Sequence, residues 1–449
     1  MKAHSKTIVI CGGARTPVGH ISRSLADIDA PNLMQLAVEA AIEKTRLPKD
    51  AVDGLFAGWV AQDIVAPNLA RVASLRCGFP EKAHAMTMQC NCISSVEAVA
   101  MAGRAILCGE GDVYVAGGVE SMSRMPYEIV GSRAEKELRS MATLKANWAT
   151  LLDRETITVH DSIEQGLTDP TRGINMAATA EICAQMHGIS RPAQDEYAHQ
   201  SFKRTLDSWA RGFYSSHVVP VSGKGQTVLD KDEYPFLRED LVAKPQKFAK
   251  APTLFDGSSY TIRDFYRDFG SRMDGKAYAE GVRGTVSLFN SCGRSDGAAA
   301  VVVASEDRAK SLGLPILAEI RGWGFYGNDP AYMGVSPALA APLALERSGI
   351  AFSDLDQIEL HEPFAATVLG VFKLGKERFG HDWEGKYRDG ALNPNGGSIA
   401  LGHPLGATGA RLLLNLLHAL RENPKGRFGM LAACAGGGIG GALAIERRD

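Results

Sequence analysis

Cys92 stands directly before a run in which Val96, Val99, Ala100, Gly103, Ile106 and Leu107 recur at helical spacing. Ser94-x-x-Glu97 reads as a capping box, so the spacing predicts a helix that starts at Ser94 or Ser95 with Cys92 at its mouth. Unpaired N–H groups and the positive end of the helix dipole favour a thiolate there, and the expected chemistry is nucleophilic. A lone cysteine is more often a small buried residue than a nucleophile, so other stretches must decide. Cys434 closes an apolar strand pattern and opens a Gly436-Gly437-Gly438 turn, which can set its thiol on a pocket floor with backbone N–H groups pointing inward. His403 lies among Gly396, Gly397, Gly402 and Gly406, which permit unusual backbone angles and close approach of a ligand. Cys90 is two residues from Cys92, but a Cys-x-Cys metal site lacks a second ligand pair nearby, and packing is its better reading.

The elements that must position these residues alternate. Strands are expected at 7–11, 52–58, 83–88 and 113–116, with helices at 32–45, 68–77 and after Cys92; Gly12-Gly13-Ala14-Arg15 reads as a turn, and Gly117-Gly118 as the end of a strand. From 128 to 283 the alternation breaks into polar and helical segments, among them 134–152 and 194–211. It returns with strands at 317–321, 357–360, 429–434 and 442–446 and helices at 337–348, 363–374 and 408–420. The second set echoes the first: Val52-Asp53-Gly54-Leu55 matches Leu355-Asp356-Gln357-Ile358, and the run from Cys292 resembles the run from Cys434. Such repetition in the same order implies two similar α/β halves, the first interrupted by an inserted segment.

At 449 residues the chain is long enough for two or three domains, and a formal charge of −2 supplies no global field for nucleic acid or an anionic membrane. No apolar run reads as a membrane span and the start lacks a secretory pattern. Eight scattered cysteines suit a reducing compartment, so a cytoplasmic location is expected.

The sequence resembles the thiolase family over nearly its whole length. The resemblance rests on GARTP at 13–17, CISS at 92–95, GGVESMS at 117–123, GLTDP at 166–170, SDGA at 295–298, HEPFA at 361–365, N-x-x-GGSIALGHP from Asn393 to Pro404, and CAGGG at 434–438. Ser95 and the histidine opening HEPFA are closest to the β-oxidation branch that includes trifunctional-enzyme β subunits. The resemblance implies a duplicated five-layered α/β/α/β/α fold with a loop domain, divided as 1–127 with 284–308, 128–283, and 309–449. The implied activity is cleavage of a 3-ketoacyl-CoA by CoA through an acyl-cysteine, with coenzyme A as substrate and no metal or redox cofactor. It assigns Cys92 as nucleophile, His403 as the base that activates it, and Cys434 as the acid/base for the acetyl-CoA enolate. The N–H groups of Cys92 and Gly436 are assigned to one oxyanion hole, and His403 with a water held by His361 to the other. Phe364 and Met176 match acyl-pocket positions, though core packing would explain Phe364 equally well.

The family also implies a homodimer or tetramer, and its β-oxidation branch raises a hydratase/dehydrogenase subunit as a partner. Proline at 363 replaces the more usual alanine and is acceptable at a first helical position. Phe236 occupies a position where thiolases commonly have an arginine near the CoA nucleotide, Cys292 one where a CoA-contacting serine is common, and 257–283 reads as an insertion. An acetoacetyl-CoA thiolase working in the condensing direction is the near alternative. A silent thiolase-like subunit or lipid-binding module is the distant one, but such a chain would tend to lose Cys92, His403 or Cys434, and all three are present.

Overall fold

The computed structural model describes residues 6–131, 140–146, 148, 154–223 and 226–448, the side chains of Thr143 and Leu144 aside. Nine principal strands build it: β1 (Ile8–Arg15), β2 (Gly54–Trp59), β3 (His84–Met88), β4 (Val113–Ser121), β5 (Ser295–Ser305), β6 (Ala318–Gly327), β7 (Gln357–Leu360), β8 (Phe428–Ala435) and β9 (Ile439–Arg447). They run in the order β7-β8-β9-β6-β1-β5-β4-β2-β3. Two blocks meet at β1 and β6, where only Val9 and Ile10 pair with Glu319 and Ala318.

The blocks repeat one topology. In the first, β2 is parallel to β4, and β5 and β1 follow antiparallel. In the second, β7 is parallel to β8, and β9 and β6 follow antiparallel. Even β3, parallel to β2, has a remnant counterpart in the parallel bridge of Ile358 to Leu392. The echoes read from sequence therefore fall on structurally equivalent strands, β2 with β7 and β5 with β9.

Side-chain alternation along the strands creates the layers. Val9, Ala298, Ala300 and Val302 face an outer core shared with α1 (Ala30–Thr45) and α2 (Leu69–Arg76). Their neighbours Ile8, Ile10, Ala299, Val301 and Val303 turn to a central core shared with Leu431, Leu443 and Ile445 of the second block. Two helices fill that centre, α3 (Ser94–Cys108) and α8 (Thr408–Glu422). They pack closely: a Cβ on Gly409 would lie 2.4 Å from the Val96 side chain, and the Ser95 hydroxyl accepts from the Ala410 N–H at 2.9 Å. The third core lies beyond the second block, where Ala442, Ala444 and Met430 meet α5 (Arg191–Ala210), α6 (Ser336–Ser348) and α7 (Ala365–Phe379).

Residues 91–108, which include α3, are long and apolar enough to cross a membrane by composition alone, contrary to the reading of the sequence. Packing explains the composition: 61% of that stretch is buried, between the two blocks of strands. Two predicted boundaries also move. Gly12-Gly13-Ala14-Arg15 continues β1 past a bulge, and Gly117 and Gly118 lie inside β4. Both glycines are needed for close approach, since a Cβ would come within 2.1 Å of Ala299 O at Gly117 and 2.0 Å of Gly406 O at Gly118. The expected helix at 134–152 falls largely outside the described residues, within which Met141–Ala146 is helical.

Candidate active site

Cys92 sits in the tight passage from β3 to α3. Asn91 takes a left-handed φ of 49°. The Ser94 hydroxyl donates to Asn91 O at 2.6 Å and accepts from the Cys90 N–H at 2.9 Å, which fixes the turn. The capping box does not form: Ile93 holds the cap position, and Glu97 pairs with Arg104 at 2.5 Å. Nor is the thiol a resting thiolate. Burial pushes Cys92 up to about 12, against the pull of the Gly436 N–H and its own N–H, and the nearby Glu120 carboxylate adds to the rise. Desolvation outweighs the helix terminus, so a base must take the proton when the thiol reacts.

The His403 imidazole is held in one tautomer. The Thr408 hydroxyl donates its one hydrogen to Pro404 O at 3.0 Å, so it accepts from His403 Nδ1–H at 2.7 Å. That assignment puts the lone pair on Nε2, which is buried and has no hydrogen-bond partner among the described residues. Burial and the Arg411 guanidinium lower the imidazole to about 3, which keeps it neutral. Its turn is fastened to β4. Glu120, fully buried, accepts from the N–H groups of Val60, Ala61 and Gly406 at 3.2, 3.1 and 3.0 Å. Gly402 has φ 99°, and a Cβ there would lie 2.2 Å from Ser295 Oγ.

Cys434, at the end of β8, lies with its sulfur 3.8 Å from His361 Nδ1, and the His361 and His403 rings are 4.3 Å apart. Burial raises the Cys434 thiol well above its ordinary value and lowers His361 well below its own, so both are neutral. Glu362 anchors this corner. Its carboxylate accepts from Tyr197, Ser201 and Asn393, each at 2.7 Å. Asn393 also accepts from Leu360 N and donates to Leu360 O, both at 2.8 Å. Pro363 is not at a first helical position: α7 starts at Ala365 with Phe364 at its cap, and the Pro363 carbonyl instead accepts from the Cys292 N–H at 2.9 Å. Across the site, Asn91 Nδ2 donates to Gly436 O at 2.8 Å, joining the Cys92 turn of one half to the Cys434 turn of the other.

A cavity of about 410 Å³ opens onto His403, with Met176, Phe364, Leu254, Leu288 and Cys292 in its walls. Met176 and Phe364, both singled out from sequence, share a packed cluster with Cys434. Cys90 packs against the central core, as read from its spacing.

The comparisons agree over the whole length. Residues 8–262 match the family model of the thiolase N-terminal domain, and residues 314–447 that of the thiolase C-terminal domain. The chain belongs to the thiolase family. Among similar thiolases, a probable acetyl-CoA acetyltransferase of Escherichia coli (strain K12) is 36% identical over 99% of this chain and 100% of its own. A probable acetyl-CoA acyltransferase of Staphylococcus aureus (strain COL) is 34% identical over 98% of this chain and 99% of its own. The crystal structure of human mitochondrial 3-ketoacyl-CoA thiolase in complex with CoA superposes with TM-score 0.82 at 31% identity, covering 99% of this chain and 98% of its own. That of the Bacillus anthracis acetyl-CoA acetyltransferase gives 0.83 at 30% identity, covering 100% of both chains. The chain is thus a thiolase-family acyltransferase.

Sequence reasoning gave no role to Asn91, Glu120, Thr408 or Asn393, four residues that position the thiolase turns. Two carried a usable signal: Glu120 is an acidic residue inside an otherwise apolar strand pattern, and Thr408 is a hydroxyl five positions after His403. Asn91 and Asn393 owe their importance to left-handed φ values of 49° and 46° and to partners far away in the chain, which spacing does not reveal.

Proposed function

We propose that the protein is a 3-ketoacyl-CoA thiolase of β-oxidation, which cleaves its substrate with CoA to acetyl-CoA and a shortened acyl-CoA. The observation that carries this reading is geometric: Cys434 Sγ lies 3.8 Å from His361 Nδ1, the His361 and His403 rings are 4.3 Å apart, and the Asn91–Gly436 hydrogen bond brings the Cys92 turn to them, beside the apolar cavity onto which His403 opens. His403 Nε2 takes the Cys92 proton as the sulfur attacks the C3 carbonyl, and the N–H groups and imidazoles lining the site receive the alkoxide. The C2–C3 bond then breaks, leaving an acyl thioester on Cys92 and the enolate of acetyl-CoA. Cys434, protonated at neutral pH, gives its proton to C2. In the second half-reaction the Cys434 thiolate takes the proton of CoA, the CoA sulfur attacks the thioester, and Cys92 leaves as a thiol with the proton held by His403. Each catalytic group thereby returns to its starting state.

The apolar cavity walls favour an acyl group longer than acetyl, and the relatives named as acetyltransferases favour the short-chain enzyme. CoA-dependent loss of the substrate enolate absorbance, measured for acetoacetyl-CoA and for 3-ketodecanoyl-CoA, decides between them. Efficient cleavage of the longer substrate is the expected result. Turnover confined to acetoacetyl-CoA would move the reading to an acetoacetyl-CoA thiolase.

A further inference from the structure

Residues 257–283, read from the sequence as an insertion, supply Tyr260, Phe265, Asp268 and Phe269 to one wall of a second cavity of about 420 Å³ beside the catalytic one. The two share Asn175, Ala177 and Leu254 as walls. The insertion folds on its own local signals: Thr261 and Asp264 form a capping box that starts the helix Ile262–Phe269, which turns Phe265 and Tyr266 inward. These rings pack with Ile174, Ile182 and Met273 into a separate apolar cluster.

The wall is fastened to α4 (Met176–His187), the helix whose first residue lies in the catalytic cavity. Lys276 Nζ donates to the Gln185 and Met186 carbonyls at 2.8 and 3.0 Å, and the Tyr266 hydroxyl donates to Gln185 Oε1 at 2.8 Å. At the other end the Tyr332 hydroxyl donates to Arg272 O. A wall held at both ends keeps its shape and can discriminate among ligands.

We propose that this second cavity is a subsite for the far end of the acyl group, and that it selects substrates ending in an uncharged apolar ring or a medium-length hydrocarbon tail. The proposal rests on the thiolysis activity put forward above. Phe255, Phe265, Phe269 and Ile174 give it apolar faces. Asp268, which accepts from the Tyr260 hydroxyl at 2.9 Å, is the only charged residue among its described walls. A carboxylate there disfavours the phosphates of the CoA nucleotide and an acyl group ending in its own carboxylate, and it tolerates a neutral end.

Ala178 faces this cavity without lining the catalytic one, so Ala178→Phe fills the subsite alone. The comparison is of kcat/KM for acetoacetyl-CoA, 3-ketodecanoyl-CoA and a phenyl-terminated 3-ketoacyl-CoA, with the KM for CoA and the melting temperature of each variant. The expected result is a loss of about tenfold or more for the two larger substrates, with acetoacetyl-CoA turnover and the KM for CoA held. Phe269→Ala, which enlarges the same cavity, is expected to shift preference toward bulkier acyl ends. Losses in equal proportion for all three substrates, or a raised KM for CoA, overturn the subsite. Absence of thiolysis by the unmodified protein on every substrate is a separate result that overturns the activity and the subsite with it.

Discussion

At the scale of single residues, burial holds His403, His361 and Cys434 neutral, and loss of water around the half-buried Cys92 does the same for its thiol. The Cys92 thiol, pushed up to about 12, and the His403 imidazole, lowered to about 3, are both neutral at rest, and in the proposed mechanism the thiol gives up its proton only as the substrate carbonyl accepts the sulfur. Thr408 sets the direction of the His403 lone pair. Thr408→Val removes the acceptor for Nδ1–H and leaves the volume nearly unchanged. It should lower kcat about 10²-fold, with KM and melting temperature nearly constant. An equal fall in kcat and thermal stability would show that Thr408 only holds the turn. Cys92, His403, Cys434 and His361 were singled out by residue type and motif order, and the fold brings the turns that carry them together. The protonation of Cys92 was not legible, because a helix start can be read from spacing but the depth of burial that outweighs it cannot.

At the scale of elements, the catalytic turns are secured by buried carboxylates that accept backbone or side-chain hydrogens. Glu120 holds the Gly406 turn to β4, and Glu362 holds the start of α7 to Asn393 and α5. Burial raises the Glu120 carboxyl to about 7, from an ordinary value of 4.5. A group raised on folding adds stability that is complete below its unfolded value and lost as pH rises through its folded one. From pH 5 to pH 9 the protein should therefore lose about 3 kcal/mol relative to Glu120→Gln, which does not titrate there. Urea unfolding of both proteins at the two pH values reads the difference, and parallel behaviour would mean that Glu120 does not titrate across this range. Strand and helix order was legible from alternation, but the ends of β1 and β4 were not. Glycine pairs usually mark turns, whereas Gly117 and Gly118 are demanded by Ala299 and Gly406, which lie far away in the chain.

At the scale of the whole molecule, the site exists only because two repeated blocks face each other across α3 and α8. The first supplies Cys92; the second supplies His403, His361 and Cys434, and the Asn91–Gly436 hydrogen bond spans the two. A buried ion pair, Arg15 with Asp232 at 2.6 Å, ties the first strand to the segment inserted into the first block. The duplication could be read from sequence as short echoes in matching order. The cavity behind the insertion could not, since it depends on how Phe265 and Tyr266 fold back onto α4.

The central claim is that cleavage passes through an acyl group on Cys92 with proton transfers contributed by the second block. The direct measurement is the mass of the intact protein, and of its Cys92 peptide, after mixing with 3-ketodecanoyl-CoA in the absence of CoA. The account predicts an octanoyl group on Cys92 with an equal amount of acetyl-CoA released, and loss of both in Cys434→Ala. Cleavage with Cys92 unmodified, or an acyl group found on Cys90, Cys292 or Cys434 instead, would contradict it.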